Sequence, residues 1–521
     1  MAGPLALAGS GVTPLHAVRT GGVAATLLVL AGLTVWPVAS VSVHGVLAQS
    51  AWPTVIALQT LAVGLASTLL VSAPAVVVAF AMLRVDVIGR GSLWRAFRAL
   101  ALLPSFIAPL ALLALAGPHG ILAPDALPGG FVAIVVGQAL AVLPAAIALA
   151  ARALSAVTVD LEHAAELLGA RRLTVLRRVT LGLAGPRLLR AALLVLGLCL
   201  ADVASPLLLG GDRLVLSTAV VAAAAADVGG AARPALALAA LAAGVTLAGA
   251  VWRESGFAVF GWPPLPRLDR PARPLVRRLA GALAWTTAAL LLVSPVSVAV
   301  ASVRHWNALA DGTSAGALGT SVLLGLGAAL VGTALALAAA RIVERRNGVA
   351  GRVAGLLARL PAIVPGVAVA VGYAVVTGTA PGSGLVALST AVAIVAAWEL
   401  PVTVRVAHAA LVHADRSVEE VSTSLEASDL TTLTRVIAPM LGPVAVRIAS
   451  HLFAAGVLAV GTIVVLTGVG SGPGAVAVLA RATAGATGAA CAVAIALLAV
   501  ASGALVLGRA IAAGRLDPTL S

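Results

Sequence analysis

Long apolar runs recur along the whole chain, and polar and charged positions are confined to the gaps between them. The runs fall at about 22–47, 57–83, 97–117, 129–152, 188–210 and 231–252, then at about 277–303, 317–340, 354–376, 383–408, 445–468 and 486–510. Roughly 20 mostly apolar residues in a helix cover the roughly 30 Å hydrocarbon layer of a bilayer. The pattern therefore predicts an all-α integral membrane protein with about 12 transmembrane helices, in two groups of six. The first run starts too late and is too long for an ordinary cleaved signal peptide, so it is expected to be a true span.

Composition narrows the class. The 521 residues are 61% hydrophobic and only 10% charged, against about 45–50% and about 25% in a soluble domain. That excludes a soluble enzyme, a nucleic-acid-binding domain and a disordered scaffold. The net charge of +14 comes from arginine alone, since the sequence contains no lysine. All the arginines except Arg213, Arg233, Arg304 and Arg481 fall on one side of the predicted spans. The positive-inside rule places that side, and both termini, in the cytoplasm. Topology thus accounts for the charge, and no nucleic-acid partner is expected. Cys199 and Cys491 lie inside apolar runs and make no disulfide or metal motif.

The two groups repeat one another. Leu103-Pro104 recurs as Leu360-Pro361, and Leu143-Pro144 as Leu400-Pro401, both shifted by 257 residues. Six spans per copy is an even number, so the copies enter from the same side as parallel repeats and enclose a pathway along their boundary. The expected organisation is a first repeat over 1–255, a Pro- and Arg-rich cytoplasmic linker over 256–276, and a second repeat over 277–521.

Each repeat carries a long polar loop before its fifth span, at 155–190 and 410–446. The first contains Glu162, His163, Ala164, Ala165, Gly169 and Val179. The second contains Glu419, Glu420, Val421, Ser422, Glu426, Val436 and Pro439. Each reads as a helix-turn-helix beneath the membrane. Asp160 and Ser417 hold equivalent positions and are expected as N-caps. Ser417 with Glu420 forms a capping-box pattern. The small Ala164 and Ala165 keep one face flat for another protein, and Gly169 suits a left-handed helix end.

This loop resembles the E-A-A, three residues, G, nine residues, I-x-L-P signature of the membrane subunits of ATP-binding-cassette importers. Ala164, Ala165, Gly169 and Val179 match at those spacings. His163 stands at the usual glutamate, Gly182 at the expected proline, Val421-Ser422 at the second alanine pair, and Glu426 at the second glycine. The resemblance implies a fused two-domain permease in a prokaryotic cell (inner) membrane. It also implies two copies of a cytosolic ATPase docked on the loops and an extracytoplasmic substrate-binding protein. ATP and magnesium would sit on the ATPase, with no cofactor on this chain. The segment Leu200-Ala-Asp202 through Pro206 to Gly210-Gly211, followed by Leu216-Ser217-Thr218, is similar to fused ferric iron permeases. Ferric iron is the substrate that similarity implies, with thiamine, aminoethylphosphonate and polyamines as alternatives.

Two carboxylates fall at membrane depth, Asp202 and Glu399, and ionisable groups there are expensive and often functional. They are candidates for the translocation pathway, or for structural roles beside Pro206 and Pro401. Cys199, Cys491, His408 and His451 lack ligand spacing and are expected to pack rather than hold metal. No G-x-x-x-x-G-K-[ST] phosphate loop can exist without lysine, and no catalytic constellation is present, so an enzyme is not expected. An ion-coupled secondary transporter with twelve spans is the alternative.

Overall fold

The computed structural model describes residues 14–48, 51–118, 120–122, 126, 129–250, 262–268, 273–345, 348–378, 384–413, 421–422, 424–425, 435, 438–468 and 472–514. Among them every regular element is helical and no strand occurs. That is the outcome expected where lipid offers backbone groups no hydrogen-bond partner.

The first group runs α1 (Pro14–Leu47), α2 (Thr54–Arg84), α3 (Arg90–Leu100), α4 (Ile107–Ala116), α5 (Phe131–Ser155), α6 (Val159–Leu167), α7 (Arg172–Thr174), α8 (Leu181–Ala201), α9 (Ala204–Leu209), α10 (Leu216–Ala226) and α11 (Ala232–Ala250). The second runs α12 (Pro274–Ser302), α13 (Gly312–Arg345), α14 (Val349–Leu357), α15 (Gly366–Thr377), α16 (Gly384–Trp398), α17 (Leu400–His413), α18 (Ala438–Val457), α19 (Val464–Thr467), α20 (Gly474–Thr483) and α21 (Thr487–Gly514).

Among the described residues, nine helices are long and apolar enough to cross a membrane, or eleven if two bent pairs each count as one span. The chain is thus a multi-pass membrane protein by helix length and composition. The expected span at 97–117 is different in kind. Its first part belongs to α3, an amphipathic helix carrying Arg90, Arg95 and Arg98, and its second is the ten-residue α4. At about 1.5 Å per residue α4 is too short to cross. Pro104 lies in the break, where it disfavours helix at Leu103. The run at 354–376 is also broken, with a bend of 107° between α14 and α15. That at 383–408 bends by 54° between α16 and α17, where Pro401 has no N–H to offer Ala397.

The first helix of each group packs on the last helix of its own group and also crosses to the other group. α1 lies against α11 and α15, and α12 lies against α21 and α4. At the α1–α15 crossing, Pro37 leaves the Leu33 carbonyl without its helical donor, and the Tyr373 hydroxyl donates to it at 2.6 Å. Gly372 allows the approach, since a Cβ there would stand 2.1 Å from the Pro37 oxygen. A second device recurs in both groups: Thr60 Oγ1 accepts from the Leu216 N–H, and Ser321 Oγ from the Gly474 N–H, each at 2.8 Å. These hydroxyls satisfy amides at the starts of α10 and α20.

The described part of the linker is anchored on α3. Trp262 meets Trp94 edge-on at 4.7 Å between ring centroids. Trp94 Nε1 donates to the Pro263 carbonyl, and Arg90 to the Pro266 carbonyl. Two of the four arginines at the other end of the helices have clear structural work. Arg233 donates to the Gly45 and Val46 carbonyls at the end of α1, where a cation is favourable. Arg481 donates to Thr313 and Ser314 at the start of α13.

Candidate functional site

Five helix breaks converge on one cavity of about 310 Å³. Pro104 to Phe106 come from the break before α4, Ala201 to Ala204 from that between α8 and α9, and Gly366 from the start of α15. Trp398 and Glu399 come from the bend before α17, and Ala455 with Leu458 to Thr462 from the end of α18 and the turn beyond it. Irregular backbone at membrane depth is tolerated where it lines a cavity or is buried in protein. The packing is tight: a Cβ on Gly366 would fall 2.3 Å from Thr462 Cγ2.

Asp202 and Glu399, far apart in sequence, both line this cavity. Asp202 is buried and its carboxylate accepts the N–H groups of Ala204 (3.1 Å) and Ser205 (3.3 Å), capping α9. Its own carbonyl accepts from the Ser217 hydroxyl at 2.9 Å. One turn earlier Gln138 donates to the Cys199 carbonyl and accepts from Ser67, so the unwound strand of backbone is met by side chains. Glu399 pairs with His451 Nε2 at 2.9 Å. A second cavity of about 170 Å³ shares Ala201, Trp398 and Glu399 and continues past Pro401 and Leu193. Among the described residues, neither lining contains an arginine.

The first polar loop lies at the arginine-rich end. Its helix α6 starts after Thr158, so Asp160 is not the N-cap. Asp160 sits inside the first turn with Glu162, where carboxylates favour the helix dipole. The end is as expected: Gly169 has φ +86°, its N–H donates to the Glu166 carbonyl, and the Ala170 N–H donates to the Ala165 carbonyl. These two bonds form a Schellman turn.

Glu162 faces the protein. Its carboxylate accepts from Arg84 Nε at 2.9 Å and from the Thr180 hydroxyl at 2.8 Å. Arg84 also donates to the Val157 carbonyl at 2.6 Å. The side chains of Arg84 and Glu162 are only 8% and 14% exposed. One shielded ion pair therefore ties α6 to the end of α2 and to the π-helical stretch Val175–Thr180 that leads into α8.

No residue of α6 is fully buried, and its exposed positions are Asp160, Leu161, Ala164 and Leu167. His163 and Ala165 are half-buried and Ala164 is exposed. Leu167 and Leu168 are 82% and 89% exposed. Val179 is half-buried against the helix core. In the second loop Glu419, Glu420, Glu426 and Val436 lie outside the described residues. Val421 is exposed, Ser422 buried, and Pro439 exposed in the first turn of α18.

Sequence reasoning missed two participants. His451 was expected to pack, and its pairing with Glu399 joins residues 52 positions apart. Arg84 closes α2 with no motif of its own. Among the described residues, no group of three or more His, Cys, Asp or Glu could hold a metal. No family model matches the chain, and no curated protein matches it.

Proposed function

We propose that the chain is the fused permease of an ATP-binding-cassette importer, with two parallel six-helix repeats enclosing the pathway. The observation that carries this reading is α6. It is a short helix with an apolar, exposed outer face, pinned at its inner face by Glu162 to α2 and to the lead-in of α8. Exposed leucines grouped on a polar loop mark a surface awaiting a partner. The partner is a cytosolic ATPase, two copies per chain, holding ATP and magnesium. A substrate-binding protein delivers solute at the opposite end. Closure of the ATPases moves both loops, and the pinned helices change the breaks around Asp202 and Glu399. This is a population shift driven by ATP binding one state more tightly. Ferric iron is the proposed substrate, on the resemblance around Asp202, with thiamine, aminoethylphosphonate or polyamines as alternatives.

The test is reconstitution in vesicles with a cytosolic ATPase and a substrate-binding protein from the same organism. ATP-dependent uptake is expected, and Ala165→Arg or Gly169→Trp should abolish uptake and ATPase stimulation while the chain still inserts. Unchanged coupling in both variants would refute the docking role. One observation favours a second reading, an ion-coupled carrier: the Glu399–His451 pair is a titratable couple beside the cavity. Uptake driven by a proton gradient with no ATPase present would select that reading instead.

A further inference from the structure

A groove at the arginine-rich end lies apart from the cavity and from α6. It is lined by Ile88, Arg277, Arg278, Gly281, Ala282 and Trp285, with Pro274 at its end, and encloses about 730 Å³. Its shape is fixed by the fold. Trp285 Nε1 donates to the Ile88 carbonyl at 3.1 Å. Gly89, at φ +72°, leaves room for the indole, since a Cβ there would meet Trp285 Cζ2 at 2.9 Å. Gly281 and Ala282 give the floor no bulk.

The lining is sorted along its length. Arg277 and Arg278 lie in the second turn of α12, and one to two turns further into the span come Gly281, Ala282 and Trp285. Ile88 and Trp285 are exposed outward. Tryptophan at the level where polar headgroup meets hydrocarbon, with basic residues just beyond, is the arrangement that anionic lipid favours. Asp86 Oδ2 lies 3.6 Å from Arg277 Nε. That Nε is shielded from solvent yet makes no hydrogen bond among the described residues. Arg278 is exposed.

We propose that this groove binds one anionic phospholipid, with the phosphate between Arg277 and Arg278 and an acyl chain along Gly281, Ala282 and Trp285. The phosphate gives the two guanidiniums an anionic acceptor, and the apolar floor requires a chain rather than a free anion. The inference needs only that the chain spans a membrane.

The test is native mass spectrometry of the purified full chain titrated with phosphatidylglycerol, phosphatidylcholine or inorganic phosphate. Wild type should retain one phosphatidylglycerol under conditions that strip phosphatidylcholine, and should show no saturable site for phosphate. Arg277→Gln with Arg278→Gln should weaken that first site about thirtyfold. Ala282→Trp, which fills the exposed floor and keeps both arginines, should weaken it comparably. Arg352→Gln, an exposed arginine on α14, should leave it unchanged. Equal retention of both lipids by wild type, wild-type affinity in both groove variants, or tight binding of phosphate alone would overturn the proposal. Thermal unfolding of each variant in detergent separates lost binding from lost fold.

Discussion

Pro37 withdraws the N–H that would have reached the Leu33 carbonyl, and Tyr373 supplies the missing donor from another helix. Tyr373→Phe should leave that carbonyl buried and unmet, lowering stability by about 1–3 kcal/mol. A thermal unfolding midpoint unchanged from wild type would contradict the account. Gly372→Ala should be worse, because its Cβ meets backbone rather than a movable side chain. Asp311, outside the spans, supports a pH prediction. The Thr313 hydroxyl, with backbone amides and the Arg481 guanidinium, holds its carboxyl below the usual range. A depressed value stabilises above the unfolded pKa of about 3.9. That contribution is lost as pH falls through the lower folded value. The unfolding-temperature gap between wild type and Asp311→Asn should therefore shrink below pH about 4. A gap that persists on acidification would count against it.

At the scale of elements, α6 and the broken helices show what could be read in advance and what could not. Gly169 was legible because a left-handed helix end has a strong local preference, and the apolar runs were legible because twenty residues of one character are hard to mistake. Pro104 and Pro361 mark in the sequence a kink or break in the third run of each group, and the breaks lie there; what a hydropathy window averages away is that Arg95 and Arg98 leave 97–117 without a full span. The N-cap moved from Asp160 to Thr158 because two acids inside the first turn suit the helix as well as one before it. Arg84 was invisible: its role comes from where α2 ends relative to α6. Removing one partner of that shielded pair, as Glu162→Gln, should destabilise by about 3 kcal/mol. The double variant with Arg84→Gln should recover part of it. Hydrogen exchange at α6 and a double-mutant cycle measure both. Strictly additive losses would mean that the pair does not hold the helix.

For the whole molecule, the decisive information was long-range. Asp202 and Glu399 were each conspicuous as acids in apolar runs, but no local pattern places them on one cavity. That placement follows from five breaks meeting between helices remote in sequence. The crossing of α1 onto α15 and of α12 onto α4 was equally absent from any window of sequence. It predicts that the two groups do not fold separately. Residues 1–255 expressed alone should be readily cleaved by protease, and co-expression with 256–521 should restore resistance. Equal resistance of the isolated piece would show that α1 needs no cover from α15.

The crossing also carries a native reporter. The chain has a single tyrosine, and it is the one whose hydroxyl reaches over to Leu33. Tyrosine labelled with 13C at Cζ alone therefore gives one labelled ring resonance for the entire molecule, and it comes from the seam. Any cycle of separation and re-engagement between α1 and α15 will appear there as line broadening or a second peak, with no dye, engineered cysteine or other mutation needed to see it.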